Sequence, residues 1–230
     1  MTSALYAANP AAALHIQTLS SGCPVLVVDD FYADPDAVRA HALEGRYDSS
    51  LAMYPGVHAA IDARASHGLR ATLARLVGVL AHVDCDPQRV HVDFSLVTTP
   101  AREMLAMQKH PHVDGVPLAG IVYLNPDFEI GTSFFRHRPT GLAFVRSDAE
   151  RQAIGAWMQA HGEERQPETY AVGDDAVWEH LHTVAGRYNR LVMYPGTAFH
   201  SIAMRDVAQH LSLASARLTQ RIFVNHIGSA

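Results

Sequence analysis

The first strong hydrophobic signal is the run Val25–Val28 in "CPVLVVDD", read as a buried strand. A helix follows, with Asp34 as N-cap, Pro35 in the first turn and Gly45 as the stop. Around residues 66–83, Leu69, Leu73, Leu76, Val77 and Leu80 recur at helical spacing, so a second helix precedes the next strand. From residue 88 the period falls to two. "QRVHVDFSLVTT", "AGIVYLNP", "TSFFRHRP", "GLAFV", "NRLVMYPG" and "RLTQRIFVNHI" are rich in β-branched and aromatic residues, each bounded by Gly, Pro or Asn. Two helical patterns interrupt them: "SDAERQAIGAWMQAHG", capped by Ser147 or Asp148, and "DDAVWEHLHTVAG", closed by Gly186. The pattern predicts a mainly β fold with flanking helices, its antiparallel strands forming a small closed or sandwiched barrel. One domain is expected over residues 1–230. Residues 1–89 supply a strand and helices packed on a core at 90–227, with helical insertions near 147–161 and 174–185.

Composition narrows the function. Hydrophobic residues make up 48% and charged residues 18%, the balance of a globular enzyme. The net charge is −5 and Lys109 is the only lysine, so no broad cationic face is expected for nucleic acid. Cys23 and Cys85 are too few for a disulfide framework, which suits a reducing, cytoplasmic setting. No apolar run reaches the roughly 18 residues of a membrane span, and the N-terminus does not read as a signal peptide. "MYPG" occurs at 53–56 and 193–196 with no wider similarity, marking turns rather than a repeat.

The candidate chemistry lies in His-x-Asp tripeptides. Chance predicts about one among 15 His and the Asp residues present, and there are three. His82 and Asp84 fall where a helix runs out, a usual place for caps and turns. His91 and Asp93 share one face of an unbroken strand. His112 and Asp114 stand at a strand end between Pro111 and Gly115, where the chain must turn and both side chains point one way. "RLVMYPGTAFHS" offers a third ligand, His200, just past a Pro-Gly turn. Two His and one carboxylate, leaving other positions open, suit non-haem Fe(II) with O2 and a co-substrate.

"HPHVDG", "GIVYLN", "GTSFFRHRPTG", "LVMYPGTAFHS" and "RLTQRIFVN", in this order, resemble the Fe(II)/2-oxoglutarate-dependent oxygenases, in particular bacterial relatives of the prolyl 4-hydroxylases and a largely uncharacterised group beside them. "PVLVVDDFYADPDAVRAHAL" resembles the strand and helix that often precede the barrel there. The resemblance implies a double-stranded β-helix, a jelly-roll or cupin-like barrel, with His112, Asp114 and His200 as metal ligands and Fe(II), 2-oxoglutarate and O2 as cofactor and co-substrates. It also implies hydroxylation of an unactivated C–H bond with release of succinate and CO2 as the default over halogenation, since halogenating members typically carry a small residue at the position of Asp114, while desaturation or ring closure would use the same three ligands. An Arg downstream would hold the far carboxylate of 2-oxoglutarate, for which a planar guanidinium is apt. Arg217 and Arg221 both qualify, and the pattern "RLTQRIF" favours Arg217 as the anchor. Arg217 lies 217 − 200 = 17 residues past His200, more than the family's usual spacing, so a longer intervening turn is required.

Other residues have plainer readings. Tyr123 is a core aromatic or a hydrogen-bond partner of the co-substrate. Arg136, His137 and Arg138 line the mouth or form a solvated strand end, and His110 is a loop residue beside the ligands. The expected partner is an amino acid, peptide or small metabolite, with neither nucleic acid nor membrane. The oligomeric state is open, a homodimer included. Two rival readings are a cupin-type metalloenzyme that does not use 2-oxoglutarate and a metal-free binding module.

Overall fold

The computed structural model describes residues 5–49, 55–127, 129–165, 167–205 and 215–228. The N-terminal part runs β1 (Ala13–Thr18), β2 (Pro24–Asp29), α1 (Pro35–Leu43), β3 (Val57–Ala60), α2 (His67–Ala81) and β4 (Val90–Val97). A short α3 (Ala106–Lys109), β5 (Leu118–Tyr123), β6 (Thr132–His137) and α4 (Asp148–His161) follow. The chain then closes with β7 (Trp178–Val184), β8 (Leu191–Pro195), β9 (His200–Ile202) and β10 (Arg217–Val224).

Two antiparallel sheets hold these strands, one in the order β1-β2-β8-β5-β10-β4-β3 and one in the order β7-β6-β9. From β4 onward the chain passes back and forth between them. A bridge from His112 to His200 takes it to the smaller sheet between β4 and β5, and β6, β7 and β9 return it there before β8 and β10. This alternation is the double-stranded β-helix, or jelly roll, here with two facing sheets that do not close into a continuous barrel.

Period-two alternation separates the two sides of the larger sheet. On β10, Leu218, Ile222 and Val224 join the outer core, whereas Arg217, Thr219, Arg221 and Phe223 line a cavity between the sheets. The outer face carries Val92, Phe94 and Leu96 of β4, covered by Leu69, Leu73, Val77 and Leu80 of α2 and Val38 of α1. Each such side chain contributes about 1.5–3 kcal/mol on burial, so this layer anchors the wall on which the cavity side chains stand. Local signals fix the helix ends. The Asp34 carboxylate accepts from Ala37 N at 2.9 Å before Pro35, and Ser147 and Glu150 form a capping box on α4.

Three expectations need correction. Residues 174–185 are not helical: Asp175 Oδ1 accepts from Val177 N at 2.7 Å and Trp178 N at 2.6 Å, and the chain then enters β7. Pairing with β6 overrides a pattern that fitted a helical turn as well as a strand. "GLAFV" is no strand but two isolated bridges, Leu142 to His137 and Phe144 to Ala198. Strands β1 and β3 were not anticipated. The first is an edge strand whose residues are mostly exposed, and four residues of the second carry little alternation. Of the "MYPG" copy at 53–56, Met53 and Tyr54 lie outside the described residues, as do 206–214 of the long connection before β10.

Candidate metal centre

Two segments meet to bring the three proposed ligands together. His112 N donates to His200 O at 2.9 Å and His200 N to His112 O at 3.0 Å, while Asp114 N donates to Gly196 O at 2.8 Å. Gly115, at φ +68°, turns the chain after Asp114, and a Cβ on Gly196 would stand 2.4 Å from Val116 O. Glycine at 196 therefore permits the close backbone approach that aligns the two segments. His200 Nε2 lies 3.3 Å from Asp114 Oδ2, and His112 Nε2 lies 3.7 Å from Asp114 Oδ1. One donor atom from each of the three residues falls within 4.8 Å of the others. His200 Nδ1 donates to Ala198 O at 3.0 Å, which orients the ring and turns Nε2 toward Asp114.

Electrostatics prepare this cluster for a cation. Burial, reinforced by the neighbouring His200, pushes His112 down to about 3 against the pull of Asp114, so its imidazole is neutral and able to ligate. Burial also pushes His200 down, but the Asp114 carboxylate outweighs it and the net shift is upward. For Asp114, burial raises the pKa, and the two imidazoles outweigh it to hold the carboxyl below its usual range. The metal-free centre thus contains a buried His–carboxylate ion pair whose proton a divalent metal would displace.

The other two tripeptides stay apart from this cluster. Asp93 takes a bidentate ion pair from Arg221, at 2.8 Å from Nε and 2.6 Å from Nη2. The half-exposed His91 reaches it only at 3.5 Å. His82 caps α2 in the left-handed conformation at φ +58°, and Asp84 O accepts from Gly228 N.

Beside the cluster opens a cavity lined among others by His58, Thr132, Tyr170, Tyr194, Arg217 and Arg221. Arg217 is 3% exposed. Its Nε donates to Ile130 O at 3.1 Å, and its guanidinium lies 5.4 Å over the Tyr123 ring. Among the described residues it has no acidic partner. Burial lowers its pKa, with the neighbouring tyrosines opposing, which is the electrostatic mark of a cation missing its anion. Tyr123 itself is buried, with its hydroxyl 2.8 Å from Thr132 Oγ1. The buried Tyr170 hydroxyl has no hydrogen-bond partner among the described residues and sits near enough to Arg217 to influence its charge. Tyr170 and His58 escaped sequence reading because neither stands in a motif, and Thr132, though inside "GTSFFRHRPTG", is not singled out by it. Arg136 pairs with Glu179 and Arg138 with Asp174, each at 2.7 Å, as a solvated strand end would. His137 packs between Trp157 and Trp178, and His110 accepts from Trp178 Nε1 at 3.0 Å.

Comparison with known proteins adds little chemistry. A family model described as a family of unknown function (DUF6445) matches residues 10–224. No curated protein matches the chain in sequence. Among solved structures, the non-heme alpha ketoglutarate dependent epimerase SnoN from nogalamycin biosynthesis aligns at 16% identity with a TM-score of 0.45. That alignment covers 86% of this chain and 76% of the other, a likeness too distant to transfer an activity. No helix among the described residues is long and apolar enough to cross a membrane.

Proposed function

The chain belongs to the family of unknown function DUF6445, and from the chemistry of its own cavity we propose that it is an Fe(II)- and 2-oxoglutarate-dependent oxygenase. In this reading His112, Asp114 and His200 hold Fe(II), Arg217 holds the far carboxylate of 2-oxoglutarate, and Tyr170 donates a further hydrogen bond to it. Bound there, iron with 2-oxoglutarate and O2 supplies the oxidation of a substrate C–H bond, with succinate and CO2 as coproducts. The donor set fits the metal: two imidazoles and a carboxylate leave room for a chelating co-substrate and O2, and borderline N/O ligation suits Fe(II).

The observation that carries the reading is Arg217. A guanidinium buried to 3% exposure without an acidic partner among the described residues, in the same cavity as the His-Asp-His cluster, calls for an anionic ligand. A dianion that also chelates the metal satisfies both ends. Arg221, the other sequence candidate, is held in a bidentate pair with Asp93 and so is no uncompensated charge calling for the dianion. A cupin-type enzyme without the keto acid, or a metal-free binding module, would leave Arg217 as an uncompensated buried charge. Hydroxylation is the reaction we assign, because Asp114 supplies the anionic ligand that a halogenating site would replace with chloride. Placement in the prolyl 4-hydroxylase branch finds no support in the family match.

The test is anaerobic titration of 2-oxoglutarate into Fe(II)-loaded protein, followed by a metabolite screen reading succinate release in air. Metal-dependent keto-acid binding and succinate formation are expected. Failure of 2-oxoglutarate to bind the metal-loaded protein would overturn the reading.

A further inference from the structure

On β10, Arg217 and Arg221 are four residues apart and both line the cavity. At about 3.3 Å per residue their Cα atoms are separated by about 13 Å along the strand. Only Arg217 is deeply buried and unpaired. Arg221 is one-fifth exposed, fixed by Nε and Nη2 on the two oxygens of Asp93, and stacked at 5.2 Å on the ring of Phe223. A guanidinium has five N–H donors, and this pairing leaves the remainder directed away from Asp93. Arg221 lines the same cavity as His112, Asp114 and His200.

His58 stands beside it. It is 8% exposed, it lines the same cavity, and its Nδ1 is buried without a hydrogen-bond partner among the described residues. The β3–β4 register brings His58 opposite Ser95, another lining residue, and β4 pairs with β10 so that Ser95 faces Thr219. Burial, with Arg221 adding to it, pushes His58 down to about 4 against the pull of Asp93, so the ring is a neutral hydrogen-bonding group at ordinary pH. A buried polar atom left unsatisfied costs about 1–3 kcal/mol, which a ligand can recover. Ile121 and Phe223 supply apolar wall nearby.

We propose that Arg221 and His58 form a second anion subsite in the cavity, and that it binds the carboxylate of the primary substrate, a small carboxylic acid such as an amino or hydroxy acid. This inference rests on the assignment of Arg217 to 2-oxoglutarate. The two cationic positions then divide the cavity: the co-substrate carboxylate lies at Arg217, the substrate carboxylate at Arg221, and the substrate's hydrocarbon part rests on Ile121 and Phe223 near the metal cluster. Asp93 is a positioning residue, holding the guanidinium in one orientation. Uncharged substrates, or peptides lacking a nearby carboxylate, would leave His58 Nδ1 without a partner and the outward N–H groups of Arg221 unused.

The experiment uses protein loaded with Mn(II) and saturating 2-oxoglutarate, without O2. Calorimetric titration and thermal shift are read against a panel of L-amino acids, hydroxy acids and short fatty acids, each beside its carboxamide. At least one acid should bind, with its carboxamide roughly tenfold weaker or worse, the scale of one charge-assisted hydrogen bond. The Asp93→Asn/Arg221→Gln double variant avoids stranding a buried carboxylate. It should lose about tenfold for the acid while binding 2-oxoglutarate within about twofold of wild type. His58→Leu, which leaves the ion pair intact, should weaken the same acid. The inference is overturned if no acid binds, if acid and carboxamide bind alike, or if the double variant loses 2-oxoglutarate instead. If wild-type protein fails to bind Mn(II) or 2-oxoglutarate at all, the broader reading has failed and this one falls with it.

Discussion

Replacing Arg217 with Met tests the keto-acid site with a magnitude that the structure supports. The side chain lies 3% exposed over Tyr123, with Nε on Ile130 O and no acid to pair with among the described residues, so Arg217→Met removes an uncompensated cation and keeps most of the volume. The ligand-free variant should therefore melt within a few degrees of wild type or above it. Binding should respond in the opposite direction. One charge-assisted hydrogen bond contributes about 1.5–3 kcal/mol, and about 1.4 kcal/mol is tenfold in Kd, so 2-oxoglutarate should bind about 10- to 150-fold more weakly. At a ligand concentration near 100 times the wild-type Kd, binding stabilises by about 2.7 kcal/mol, or about 5–11 °C in Tm for a chain this size. The same concentration should raise the variant's Tm by about half that or less. Differential scanning fluorimetry of Mn(II)-loaded protein without O2 measures both effects. An unchanged ligand-induced shift in Arg217→Met would refute the assignment, as would a strongly destabilised ligand-free variant, since that would mean the cation is already compensated.

Tyr170→Phe should leave the metal in place and weaken 2-oxoglutarate several-fold, the scale of one neutral hydrogen bond of about 0.5–1.5 kcal/mol, measured by calorimetry. Metal binding should be pH-dependent. His200 has its pKa raised by Asp114, so metal must displace its proton, and affinity should fall as pH drops through that raised value, with about one proton released per metal in paired-buffer calorimetry. The sign for metal-free stability is the reverse: the contribution of protonated His200 is fully present below its ordinary 6.5 and is lost as pH rises through the raised value, which urea midpoints at several pH values will show. Leu73→Ala, at a fully buried position of α2, should cost about 2–5 kcal/mol in urea unfolding without changing metal affinity.

The helices and the principal strands were readable because their signals are local. Asp34, Pro35 and Ser147 mark helix starts, and Leu69, Leu73, Val77 and Leu80 trace a buried stripe. The segment 178–184 was not readable, because "WEHLHTV" fits either period and only pairing with β6 decides it. At the site, Pro111, Gly115 and the Pro-Gly turn before His200 singled out one His-x-Asp of three, and the structure brings those residues together. The contest between Arg217 and Arg221 could not be resolved from spacing. It turns on Asp93, which lies 128 positions from Arg221 in the chain and meets it only because β4 and β10 are neighbours. Tyr170 and His58 likewise become cavity residues through tertiary approach alone, one from a loop and one from a short strand with weak alternation.

Iron content after anaerobic reconstitution and desalting tests the metal centre most directly. Wild-type protein should retain about one Fe(II) per chain, and His112→Ala, Asp114→Ala and His200→Ala should each lose it while keeping their circular dichroism, since each substitution removes a bond and leaves the other two ligands misaligned. His91→Ala should retain iron, because His91 is half-exposed and is not one of the three clustered donors. Iron lost from His91→Ala but kept by His112→Ala would contradict the assignment.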